Sequence, residues 1–199
     1  MKNIVSRELS IHQEHELLLK LEQAGITNQL AQGIIESKGN KIAKDFIKSL
    51  NKNILTFQIE PLSLFQLREK YGTGEKGFRK QYWWLKEDFA KDVPEAGTYE
   101  INIEHQLTRM TCDQQKEKLP KNWIFPHPAV IAQAILKHYE QTGERLLDRY
   151  TRTSLTFSNG NHVFVGNFAS GGLFISYGRW GSGGNSFLGV VPSRKSNKS

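Results

Sequence analysis

The last quarter of the chain carries the tightest constraint on its fold. Between Arg145 and Val191, "RLLDRYTRTSLTF", "HVFVGNF", "GLFISYGRW" and "SFLGVV" are rich in aromatic and β-branched residues, and "SNGN", "ASGG" and "GSGGN" separate them. Aromatic and β-branched side chains suit a pleated, half-buried surface, while Gly, Asn and Ser supply turns. Gaps this short cannot hold the roughly dozen residues of a parallel crossover, so the expectation is an antiparallel meander.

A sheet with one apolar face needs a cover. "PHPAVIAQAILKHYEQTG" supplies the strongest helix pattern in the chain: Pro128 suits a first turn, Gly143 suits the stop, and Val130, Ile131, Ala134, Ile135 and His138 form a stripe. Upstream, "LSLFQLREKYG" reads as a short helix closed by Gly72. "TYEINIE" alternates as a half-buried strand after the turn "PEAG", and "CDQQKEKLPKN" is a loop or brief helix.

The first third reads as three short amphipathic helices. Ser10 and Gln13 have capping-box spacing, Gly25 and Gly39 are stops, and Ile42, Ala43, Phe46, Ile47 and Leu50 make a helical stripe. The fold class is therefore α+β: a helical unit over residues 1–57, an α+β domain with an antiparallel sheet and a packed helix over 58–193, and a flexible basic tail over 194–199.

The net charge is +7, unevenly placed. Residues 128–199 hold eight basic and three acidic side chains, and no carboxylate side chain follows Asp148. Such a field draws phosphate-bearing partners. No run approaches the roughly 18 apolar residues of a membrane span, and the start "MKNIVSRELS" has no signal-like apolar stretch. With Cys112 as the one cysteine, the expected compartment is the reducing cytoplasm.

Candidate binding residues follow from charge mixed with aromatic faces. In "GFRKQYWW", Arg79, Lys80 and Trp83 combine cations with rings that stack bases. In an extended "RYTRTS", Arg149 and Thr151 point one way, Tyr150 and Arg152 the other. Arg179 and Trp180 border the small-residue loop "GSGGN", and Arg194 and Lys195 add charge near the end. Gly72, Gly74 and Gly77 spell G-x-G-x-x-G, but they follow a helix-like segment and open no helix, so they are a connector. "LAQGIIESKGNKIAKDFIK" departs from helix-turn-helix spacing at Gly33 and Gly39.

Enzymatic signals are thinner. His105 and His127 flank the middle of the chain and are the weak candidates for a general base. His12 and His15 lack a third metal ligand, Cys112 lacks an orienting partner, and Glu144 and Asp148 sit beside Arg145 and Arg149 as ion pairs. No cofactor or metal is expected. The reading that ranks first is a non-enzymatic basic module contacting nucleic-acid phosphates or another acidic surface. A protein–protein adaptor or inhibitor with an aromatic sheet face ranks second, and an enzyme built on His105 and His127 third.

Overall fold

The computed structural model describes residues 53–104, 107–178 and 187–196. The chain divides into two units, Met1–Lys52 and Asn53–Ser199. Every described element belongs to the second; the three helices expected earlier lie outside the described residues.

The second unit is a mixed α+β structure with two sheets. In chain order the elements are β1 (Ile54–Ile59), α1 (Leu64–Tyr71), a 3-10 turn (Trp83–Lys86), α2 (Asp88–Lys91), β2 (Gly97–Asn102), α3 (Cys112–Lys118), α4 (Pro128–Thr142), β3 (Tyr150–Thr156), β4 (His162–Ala169), β5 (Gly172–Gly178), β6 (Leu188–Gly189) and β7 (Ser193–Lys195). Strands β1, β2 and β7 form an antiparallel sheet in that order. The second sheet runs β5-β4-β3-β6 and is mixed, because β6 pairs parallel with β3.

Local chemistry explains the helix ends. Ser63 Oγ accepts from the Gln66 N–H, and the Gln66 side chain accepts from the Ser63 N–H, a reciprocal cap that starts α1. Gly72, at φ +69°, ends it. His127 caps α4 through Nδ1, which accepts from the Ala129 N–H at 3.1 Å, and Pro128 follows in the first turn. Gly143 ends α4 in the left-handed conformation.

Helix α4 is more enclosed than its apolar stripe suggests. All nine residues Pro128–Leu136 are buried, Gln133 included. The Gln133 amide donates to the Glu60 carbonyl at 2.7 Å and accepts from the Glu60 N–H at 3.0 Å, as a neighbouring strand would. It lets a polar side chain join one core with Phe57, Ile59, Leu64, Leu67, Ile101, Val163, Val165 and Ile175 at no hydrogen-bonding loss.

Three expectations are corrected. The C-terminal strands are no pure meander: β3, β4 and β5 are antiparallel neighbours, but the chain re-enters at the Tyr150 end of β3, so β6 runs parallel to it. β1 crosses the expected 57/58 boundary, its Phe57 and Ile59 buried against β2. Arg194 and Lys195, assigned to a flexible tail, end β7, because the β2 backbone and two carboxylates hold them. Among the described residues no helix is long and apolar enough to cross a membrane.

Candidate nucleic-acid interface

The four-stranded sheet has two unlike faces. Thr151, Val163, Val165, Leu173 and Ile175 are buried, the apolar ones among them in the main core with α4. Alternation puts Tyr150, Arg152, Phe164 and Phe174 on the other, outer face.

Along one end of that outer face runs a strip of cations and rings. The Arg79 guanidinium lies 5.1 Å from the centroid of the Phe174 ring. Phe174 and Tyr150 meet edge to face, 5.7 Å apart at 71°. They belong to β5 and β3, on either side of β4, whose register with β5 shifts between Val165 and Phe168. A Cβ at Gly166, whose φ is +108°, would stand 2.2 Å from the Arg149 carbonyl oxygen, so only glycine fits where β4 passes the start of β3. Arg149 precedes Tyr150 in the chain and is half-buried, 3.8 Å from the Asp148 carboxylate. Arg79 and Lys80 are exposed.

The glycine loop holds Arg79 in place. The Arg79 N–H donates to the Leu173 carbonyl and the Leu173 N–H to the Gly77 carbonyl, both at 2.8 Å, so residues 77–79 line the outer edge of β5. A Cβ on Gly77 would lie 2.4 Å from the Gly72 oxygen, and one on Gly172 2.4 Å from the Gly74 oxygen. The G-x-G-x-x-G stretch is a connector folded against itself and β5, as expected.

Among the described residues, Arg152, Arg194 and Lys195 are spoken for. Arg152 is 1% exposed. Its Nη1 donates to the Met110 carbonyl at 3.0 Å and to Gln115 Oε1 at 2.6 Å, while Gln115 Nε2 donates to the Leu107 carbonyl at 2.6 Å. Burial lowers its pKa, yet its guanidinium ties β3 to α3 and to the loop at Met110. Arg152 therefore cannot touch a partner, a correction whose cause is the α3 segment folded over mid-sheet. Arg194 donates from Nε to Glu100 at 2.7 Å and covers the Trp123 ring at 4.7 Å; Lys195 pairs with Glu95. Both belong to the three-stranded sheet, away from the strip.

Trp83 separates from Arg79 and Lys80. Its ring packs 5.0 Å from Tyr177 and 5.7 Å from Phe157, and Tyr177 alternates with Ile175 onto the core-side face. Arg179, Trp180 and His105 lie outside the described residues.

The remaining candidate base is a structural group. His127 spends the lone pair of Nδ1 on the α4 cap, which leaves the proton on Nε2, 3.5 Å from Asp92 Oδ2. A ring so committed has no lone pair to take a proton. Burial holds its pKa below the ordinary histidine value, against the pull of Asp92. Cys112 is buried, and its thiol pKa is pushed up to about 11 by burial. Among the described residues no group of three His, Cys, Asp or Glu side chains could hold a metal.

No family model, curated protein or solved structure matches this chain.

Proposed function

We propose that the chain is a non-enzymatic module that binds single-stranded nucleic acid across the outer face of its four-stranded sheet. The Arg79–Phe174–Tyr150 strip carries this reading. Rings presented on a sheet stack unpaired bases, and a flanking guanidinium neutralises a phosphate beside them. A duplex keeps its bases stacked on each other, so a strip of this kind favours single strands. The carboxylate-free chain beyond Asp148 adds a field of the right sign. A fluorescence-anisotropy titration with labelled single- and double-stranded oligonucleotides at ~50 mM salt tests the proposal. Saturable binding that favours single strands supports it; no binding to either contradicts it.

A second reading rests on a different observation. Tyr82 is 61% exposed, Trp83 38% and Tyr177 42%. Trp83 and Tyr177 extend a stack with Phe157, and Tyr82 lies 4.7 Å under Arg68. Aromatic rings with an arginine at the rim suit a protein interface. A partner retained by the chain after nuclease treatment favours this reading over the first.

A further inference from the structure

A pocket of about 360 Å³ opens on the same sheet, at the His162 end, against α3 and the loop that follows it. Its walls are mostly apolar: Leu119, Trp123, Ile124 and Phe125. Leu119 and Phe125 pack with Cys112 and Val190 in a small cluster separate from the main core. Ile124 is 57% exposed at this pocket, although its backbone is fixed to Ser193 by a pair of hydrogen bonds. A well-anchored loop that leaves a large aliphatic side chain in water presents an apolar surface for a ligand.

The polar groups at the pocket are three. Ser154 is exposed on β3, its own N–H fixed to the Pro126 carbonyl at 2.9 Å, so the backbone beneath the hydroxyl is held. His162 is 2% exposed, with Nδ1 3.2 Å from the Thr153 carbonyl oxygen. A carbonyl only accepts, so Nδ1 carries the proton, and burial brings the pKa down to about 4, which leaves the ring neutral. Lys116 is exposed and supplies the positive charge among the described residues that line the pocket; no carboxylate lines it. Apolar walls with two aromatic rings, one hydroxyl and one cation define a ligand of complementary kind.

We propose that this pocket is a binding site for a small planar aromatic molecule bearing one anionic group. The ring lies between Leu119, Ile124 and the two aromatic side chains, the anion faces Lys116, and the Ser154 hydroxyl donates to it. The site is independent of the nucleic-acid strip, since neither Arg79, Phe174 nor Tyr150 lines it.

Calorimetric titration of the full chain with 2-naphthoate, and with its neutral analogue 2-naphthol, tests the assignment. Naphthoate should bind saturably and about tenfold tighter than naphthol, the ratio set by one charge-assisted contact. Lys116→Met should erase that preference and leave naphthol binding unchanged. Ser154→Trp should fill the pocket and abolish both, with circular dichroism showing the fold intact. Should that variant fail to fold, Ile124→Glu, at an exposed position, should weaken naphthoate more than naphthol. Equal affinity for the two probes, no saturable binding, or full binding by the Ser154→Trp and Ile124→Glu variants would overturn the proposal.

Discussion

The outer face of the four-stranded sheet is used in two ways. Mid-sheet, Arg152 lies beneath the Met110–Gln115 segment with its donors turned inward. At the sheet end, Arg79 lies beside Phe174, which meets Tyr150, and both rings remain half-buried among the described residues. Arg79 and Arg152 carry the same guanidinium, yet Arg152 is buried and ties β3 to α3, while Arg79 is exposed beside a ring. What separates them is the cover: where α3 folds over the sheet a guanidinium becomes a structural tie, and where no described element folds over it the same group remains at the surface.

That contrast can be broken by mutation. Arg152→Ala should be the most damaging single change, because it leaves the Met110 carbonyl and Gln115 Oε1 buried without their donor. The expected loss is about 3 kcal/mol of unfolding free energy, read as a lowered urea midpoint. Arg149→Ala should shift the same midpoint by less than about 0.5 kcal/mol.

Acid should act on the covered region in the same direction. His162 titrates near 4 when folded and near the ordinary 6.5 when unfolded. The unfolded chain therefore takes up the proton first as pH falls. Stability from this group is complete above pH 6.5 and drains away as pH approaches 4, by about 3 kcal/mol in all. His127, also lowered, adds to the loss in the same sense. Urea midpoints between pH 7.5 and 4.5 read this slope; His162→Gln should flatten it.

How much of this the sequence discloses depends on the length of each element. Pro128, Gly143 and Gly72 mark helix ends through chemistry confined to one or two residues, so α1 and α4 are legible. The alternation of Tyr99 and Ile101 marks β2. β6 and β7, of two and three residues, are too short for any period to register, and the direction of β6 follows from where the chain re-enters the sheet. β1 adjoins a helical stripe of similar composition, which hides its alternation. Arg79 stands out by charge beside aromatics. Phe174 does not, because its meeting with Tyr150 depends on the strand order that sets β5 and β3 on either side of β4. The burial of Arg152 is equally invisible, since its partners lie 37 and 42 residues away.

The exposed end of the comparison is sharpened by smaller effects. Phe174→Ala and Tyr150→Ala should each weaken single-strand binding by about 1–3 kcal/mol, the worth of one stacked base, with little change in urea midpoint. Arg79→Ala should reduce the salt slope of binding by about 0.7. Arg194→Ala should leave that slope unchanged, since this guanidinium is already committed to Glu100 and Trp123.

The most direct measurement is a backbone-amide chemical-shift footprint of a short oligothymidine on the full chain at ~50 mM salt. Perturbations that concentrate on residues 77–80, 149–151 and 173–175 are the predicted result. Perturbations confined to β7 and the Trp123 loop, or to the first 52 residues, with the strip silent, would contradict the assignment of this sheet face as the nucleic-acid contact.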